Sequence, residues 1–107
     1  MQQGQYRSCI SRAYYAAYCA ATHEIVKKLT TFTHGRANPA HEKVPMYVQN
    51  NLTVPQATKS TVNELITILR LFREDADYRP QAVIDETTAR DCIRNAEAVQ
   101  QELWGTV

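Results

Sequence analysis

Apolar side chains recur every three to four residues along three long stretches of the chain, a spacing that places them on one face of an α-helix. The first stretch predicts a helix over 5–29, because neither glycine nor proline falls within it. Its apolar positions are Tyr6, Cys9, Ile10, Ala13, Ala17, Ala20, Ala21 and Ile25. Segment 30–39 is rich in threonine and contains Gly35 and Pro39, so we expect a loop there.

A shorter apolar pattern predicts a second helix over 40–51, whose start could slip toward Lys43 because Pro45 falls in its first turns. Pro55 opens the third helix, at a position where its missing N–H costs nothing. The densely charged end of this helix is stopped by Pro80. The apolar stripe of the third helix consists of Val62, Leu65, Ile66, Leu69, Phe72 and Ala76.

The fourth helix is predicted to begin after Asp85, which caps it, and to be closed by Gly105. Its buried face is predicted to carry Ala89, Cys92, Ile93, Ala96, Val99 and Leu103. No strand pattern or internal repeat interrupts this series. We therefore expect an all-α fold, an antiparallel up-and-down bundle of four or five helices that forms a single domain over 1–107.

The first predicted helix combines alanines with Tyr14, Tyr15 and Tyr18. Small residues let a neighbouring helix approach closely, while the tyrosines supply buried area and hydroxyls that need partners. More than one side of this helix is apolar, and such a helix often buries its spare face against a second copy. We therefore expect a homodimer.

Composition narrows the range of functions. Twelve basic and eleven acidic side chains give a net charge of +1, which argues against a protein that coats nucleic acid generally but allows a local basic site. No apolar run reaches the roughly 18 residues of a membrane span and no signal peptide opens the chain, so we expect a cytoplasmic protein. The three cysteines, Cys9, Cys19 and Cys92, lack metal-type spacing, which predicts buried free thiols.

Two groups of residues could carry chemistry. One is Arg12 among the tyrosines, with Tyr15 beside it; the other is the end of the third helix, with Arg73, Asp77 and Tyr78. Arg73 and Asp77 are four residues apart, so they could form an ordinary surface ion pair. Alternatively, Arg73 binds a phosphate while acidic and phenolic groups orient it.

The histidines form no spaced pair with another ligand, so we expect no metal, and no glycine-rich phosphate loop points to a cofactor. His34 is the most interesting histidine, since it stands beside Gly35 and Arg36. It could touch a ligand, or it could be a solvated loop side chain.

Several of these motifs together resemble the HEPN (higher eukaryotes and prokaryotes nucleotide-binding) family. The run SRAYYAAYCAA over 11–21 is similar to the second helix of its small stand-alone prokaryotic branch. His34-Gly35 stands where that branch has an HSG-like loop, and REDADY over 73–78 is similar to its R..ADY helix end. Only four residues precede the predicted helix over 5–29 that carries this run, so we expect that the family's first helix is lacking or that a partner fills its place.

The resemblance implies a helical bundle, usually a homodimer with active-site arginines near the dimer cleft. Many HEPN proteins are metal-independent ribonucleases in toxin–antitoxin and other defence systems, and others are partners of minimal nucleotidyltransferases. The ribonuclease signature places a histidine four to six residues after the arginine. Here the fifth residue after Arg73 is Tyr78, and a phenol with a pKa near 10 is a poor general base at neutral pH.

These features favour a dimeric module that binds a nucleotide or RNA phosphate without efficient catalysis and acts with a nucleotidyltransferase or defence partner. The expected ligand-binding residues are Arg12, Tyr15, Arg73, Asp77 and Tyr78. One alternative is a metal-independent ribonuclease that uses Arg73 with Tyr78 or His34. The other is a structural helical adaptor whose arginines only form ion pairs.

Overall fold

The computed structural model describes residues 3–29, 32, 35 and 37–105, apart from the side chain of Gln3. This part of the chain contains four α-helices and no strand: α1 (Gln3–Val26), α2 (Val44–Asn51), α3 (Gln56–Tyr78) and α4 (Glu86–Trp104). The all-α prediction is therefore confirmed. A 3-10 turn, His41–Lys43, leads into α2.

The predicted element boundaries differ from the observed ones by a few residues. Helix α1 was expected over 5–29 but ends at Val26, where the N–H groups of Lys28 and Leu29 both donate to the carbonyl of Ile25 and form a turn. The second element divides into a 3-10 turn and α2, because Pro45 lies in the first turn of α2 and leaves no N–H for a preceding helix.

The three long helices alternate in direction. Ser11, near the start of α1, bonds to Asp77 at the end of α3, so these two helices run antiparallel. Trp104, at the end of α4, bonds to Glu24 near the end of α1, so α1 and α4 run parallel. Both α3 and α4 pack along α1 and against each other, and the short α2 packs against α1 and α3.

In the described part of the chain, one hydrophobic core fills the space between the helices. Its fully buried larger side chains are Ile10, Tyr14, Ile25, Val44, Val48, Val62, Ile66, Leu69, Cys92 and Val99. The alanines at 13, 17, 20 and 21 are also buried, which lets the neighbouring helices approach α1 closely. Phe72 and Ile93 were predicted to be buried but are exposed, because they lie at the edges of their stripes, beside the central Leu69 and Cys92.

The ends of α4 follow the expected chemistry. The carboxylate of Asp85 accepts a hydrogen bond from the Thr88 N–H at 2.8 Å, and Gly105 closes the helix with φ +77°. Helix α3 begins at Gln56, with Pro55 one residue ahead in the N-cap position rather than inside the helix.

The three cysteines are free thiols, but their burial differs. Cys92 is buried, Cys9 is half-buried and Cys19 is exposed, so the prediction of buried thiols is wrong for Cys19. Within the described ranges, no helix combines the length and the apolar character needed to cross a bilayer.

Candidate functional site

Arg73 is enclosed by aromatic rings. Its Cζ atom lies 5.1 Å from the ring centroid of Tyr14, 5.8 Å from that of Tyr15 and 5.6 Å from that of Tyr78. The side chain of Arg73 is only 12% exposed. A guanidinium held against three ring faces is stabilised by cation–π attraction and has little freedom to reorient.

Among the residues that the structure describes, few polar groups balance the charge of Arg73. Its Nη1 donates to the hydroxyl of Tyr15 at 3.3 Å and lies 3.6 Å from Oδ2 of Asp77. Asp77 is itself held by the hydroxyl of Ser11, which donates to its Oδ1 at 2.6 Å. Nε of Arg73 is buried without a hydrogen-bond partner among the described residues. Burial lowers the pKa of Arg73, but the nearby Tyr15 and Tyr78 hydroxyls more than offset this effect, so the pKa is raised and the charge is kept.

Tyr14, beneath this arginine, is fully buried. Burial raises its pKa to about 12, although the charges of Arg73 and Arg70 act in the opposite direction. The neutral hydroxyl of Tyr14 lies 2.6 Å from Nδ1 of His41. This contact brings the 3-10 turn before α2 into the candidate site.

His41 is held by aromatic contacts as well. Its ring stacks on Tyr18 at a centroid distance of 4.2 Å and an interplanar angle of 11°. The hydroxyl of Tyr18 donates to the carbonyl of Pro39 at 2.7 Å, which holds this segment against α1. Burial lowers the pKa of His41, and the charges of Arg73 and Arg70 lower it further. His41 is therefore a neutral imidazole at pH 7, able to accept a proton.

His41 was not among the site residues predicted from the sequence. Two features could have done so: Tyr14 and Tyr18 lie one turn apart on a face that points inward, and a buried tyrosine hydroxyl needs a polar partner. What the sequence could not supply was the distance between α1 and a turn more than twenty residues away.

The predicted ligand-binding residues do not all come together. Tyr15, Arg73, Asp77 and Tyr78 form one cluster, in which the Tyr78 side chain is 68% exposed. Arg12 was expected among the tyrosines, but it is exposed at a neighbouring part of the surface. There it lines a cavity of about 270 Å³ together with Arg7, Ser8, Ser11 and Asp77. Asp77 thus borders this cavity and pairs with Arg73.

His34 lies outside the described residues, so its expected contact with the site stays a prediction. Within the described part of the chain, no three His, Cys, Asp or Glu side chains approach closely enough to hold a metal ion. The polar groups that do come together are a guanidinium, a carboxylate, phenols and a neutral imidazole. This set can bind a phosphate and exchange protons with it.

Comparison with known proteins gives one match. A family model described as the HEPN domain matches residues 1–103. No curated protein and no solved structure matches the chain.

Proposed function

Because the chain belongs to the HEPN-domain family, which supports a role with nucleotides or RNA in general, we propose that it binds the phosphate of a nucleotide or RNA at Arg73. One observation carries the proposal: three tyrosine rings hold this guanidinium, while its carboxylate partner Asp77 lies 3.6 Å away. Arginine forms its strongest contacts with carboxylates and phosphates at shorter distances, roughly 2.7–2.9 Å. A phosphate would supply such a contact.

The residues around Arg73 have distinct parts in this proposal. Asp77 orients the guanidinium before the ligand arrives, and the hydroxyl of Tyr15 holds Nη1. Tyr78 is exposed although it contacts Arg73, so the outer face of its ring is where the ligand would stack. Arg12 adds a second positive charge from the cavity that it shares with Asp77.

A thermal-shift series with ATP, AMP and a short RNA tests the proposal. We expect AMP at 100 times its dissociation constant to stabilise the wild type by about 2.7 kcal/mol, because a ligand that binds only the folded state raises stability. Arg73→Ala should abolish this shift, and Arg12→Ala should reduce it.

Arg94→Ala is the matched control, because Arg94 is an exposed arginine of α4 that pairs with Asp91. This variant should respond to AMP and RNA as the wild type does. If no ligand shifts the wild type, or if Arg73→Ala responds fully, the proposal is wrong. The structural-adaptor alternative would then be favoured.

A metal-independent ribonuclease is the second candidate function, and the position of His41 favours it. The signature histidine after Arg73 is replaced by Tyr78, but His41 reaches the same aromatic cluster from the turn before α2. If Nδ1 of His41 carries the proton and donates it to Tyr14, Nε2 is unprotonated. It could then accept the proton of a ribose 2′-hydroxyl while Arg73 stabilises the phosphate charge.

RNA cleavage in EDTA separates binding from catalysis. If the chain only binds, the wild type leaves the RNA intact although Arg73 supports a melting shift. If it cleaves, Arg73→Ala and His41→Gln should each reduce the rate by about 10²–10⁴-fold. Tyr78→Phe distinguishes the two possible bases, because it should reduce cleavage only if the Tyr78 hydroxyl takes part.

We further propose that the protein is a homodimer that uses the groove between α1 and α4. This groove has a volume of about 300 Å³, and Arg12 and Ile93 are exposed beside it. Its apolar lining includes Cys9, Ala13, Ala16, Ile93 and Ala96. Sedimentation should give twice the monomer mass for the wild type and the monomer mass for Ile93→Glu, whereas a monomeric wild type would contradict the proposal.

We also propose that the dimer acts in the cytoplasm beside a nucleotidyltransferase or another toxin–antitoxin or defence component. The resemblance of the tyrosine helix and of the 73–78 segment to the small prokaryotic HEPN branch supports this role. Co-purification of the full chain with products of neighbouring genes tests it, and recovery of the chain alone would count against a stable partner.

A further inference from the structure

A second cavity borders the stacked rings of Tyr18 and His41. It measures about 400 Å³ and lies between α1 and the segment that leads into the 3-10 turn. Tyr18, Asn38, Pro39, His41 and Glu42 are among its lining residues. This volume falls within the range of small-molecule sites, roughly 300–1,000 Å³.

The wall of this cavity combines a stacked aromatic pair with polar groups. Tyr18 and His41 stack on each other at a centroid distance of 4.2 Å, so a nucleobase would stack on an outer face of this pair. The Asn38 amide and the Glu42 carboxylate are exposed. Within the described part of the chain, neither side chain forms a hydrogen bond or an ion pair.

His41, in the wall of this cavity, is connected to the guanidinium of Arg73 through the ring of Tyr14. The ring centroid of Tyr14 is 5.5 Å from that of His41 and 5.1 Å from Cζ of Arg73. His41 and Arg73 therefore cannot be farther apart than the sum of these distances. This upper limit on the distance between the His41 ring centroid and Cζ of Arg73 is comparable to the span of one nucleotide from its phosphate to its base.

We infer that this cavity is a nucleobase subsite that selects guanine, an inference that rests on the proposed phosphate site at Arg73. A carboxylate only accepts hydrogen bonds. Guanine is the base that presents two adjacent donors, N1–H and the N2 amino group, to a single carboxylate such as Glu42. Its O6 acceptor suits the amide N–H of Asn38. In uracil, by contrast, the one N–H stands between two carbonyl oxygens, which a carboxylate repels.

Calorimetric titration of the full-length protein with GMP, UMP and ribose 5-phosphate tests this inference. The wild type should bind GMP more tightly than the other two. Glu42→Gln keeps the size of the side chain but offers one fewer acceptor and adds donors, and it should weaken GMP binding about tenfold. The same change should leave ribose 5-phosphate binding as it is. Asn38→Ala should also weaken GMP binding.

Glu102→Gln is the control, because Glu102 is an exposed carboxylate near the end of α4 that does not line the cavity. It should bind GMP like the wild type. Equal wild-type affinities for GMP, UMP and ribose 5-phosphate would overturn the base subsite and leave the phosphate site standing. Failure of all three to bind would overturn the phosphate site and, with it, the subsite.

Discussion

The hydroxyl of Tyr14 lies 2.6 Å from Nδ1 of His41 and joins the middle of α1 to the turn that precedes α2. Tyr14 also packs its ring against the guanidinium of Arg73 on α3. One buried side chain thus contacts groups from three elements of the bundle. The position of His41 relative to Arg73 therefore depends on Tyr14 keeping both its ring and its hydroxyl.

Tyr14→Phe removes only the hydroxyl and leaves Nδ1 of His41 without its partner. Because His41 is half-buried, we expect this change to lower the free energy of unfolding by about 0.5–1.5 kcal/mol, the usual net contribution of one hydrogen bond. Urea denaturation measures it. Tyr47→Phe is the control, because Tyr47 is half-buried and packs on Phe32 by its ring. An equal loss of stability in both variants would contradict this role for the Tyr14 hydroxyl.

The lowered pKa of His41 predicts that the stability of the folded protein depends on pH. Its ordinary value is 6.5, and burial, followed by the charges of Arg73 and Arg70, lowers it in the folded state, against a weaker opposing effect of Glu42. The unfolded chain therefore binds a proton at this site more readily than the folded chain does. The stability that His41 contributes is complete above pH 6.5 and is lost as pH falls through the lower folded-state pKa.

Unfolding measured between pH 7.5 and pH 5 should show this loss in the wild type and a smaller loss in His41→Gln, which has no imidazole to protonate. NMR titration of the imidazole reports the pKa directly. Arg73→Met should raise it, since one of the two nearby positive charges is gone. A folded-state pKa of 6.5 or higher in the wild type would contradict the prediction.

Periodicity predicted the long helices because each buries one continuous face, and that signal is local in sequence. The Asp85 cap and the Gly105 terminus were predictable for the same reason: each depends on one side chain or one backbone angle. The site was harder to predict. The pairing of Arg73 with Asp77 follows from helical spacing, but the contact between Tyr14 and His41 depends on where a loop returns to α1.

The separation of Arg12 from the tyrosines has a related cause. Arg12 and Tyr15 are three residues apart and therefore lie only about 60° apart around the axis of α1, so the positions of α3 and α4 decide which of the two side chains meets a neighbouring helix. Tyr15 meets Arg73 of α3, whereas Arg12 borders the groove toward α4. The sequence identified the residues of α1 with unusual chemistry but not the helix that each would face.

Arg7 holds the end of α3 in place. Its guanidinium donates to five backbone carbonyls, those of Asp75, Ala76, Arg79, Pro80 and Ala82. The last carbonyls of a helix lack partners within the helix and carry partial negative charge, which a cation offsets. We expect Arg7→Ala to lower the free energy of unfolding by about 1–3 kcal/mol in urea denaturation.

Arg12→Ala is the matched control for Arg7, one turn further along α1. Among the described residues, Arg12 forms no hydrogen bond or ion pair, so its removal without ligand should change stability by less than about 0.5 kcal/mol. Arg7→Lys should recover only part of the loss, since an ammonium lacks the planar fork that reaches several carbonyls. Equal effects of the two alanine variants would show that Arg7 does not stabilise the end of α3.

Trp104 lies at the end of the bundle opposite to Arg7, beside the C-terminal end of α1. Its Nε1 donates to Oε2 of Glu24 at 2.9 Å, and Lys27 donates to the same oxygen at 3.0 Å. Burial raises the pKa of Glu24, but these hydrogen bonds outweigh burial and bring the pKa below its ordinary value of 4.5. The stability that the Glu24 carboxylate contributes through its bonds to Trp104 and Lys27 is therefore present above pH 4.5. It is lost as pH falls through the lowered pKa of Glu24.

Fluorescence can follow this local change because Trp104 is the only tryptophan of the chain. We expect the emission of the wild type to shift below pH 4.5 as the carboxylate of Glu24 is protonated and its charge-assisted bond weakens. Global unfolding is a poor readout, since Asp85 and Glu86 also have lowered pKa values. Glu24→Gln keeps an acceptor for the indole N–H but cannot titrate, so its emission should stay constant over the same pH range. A shift of equal size in Glu24→Gln would assign the change to another group.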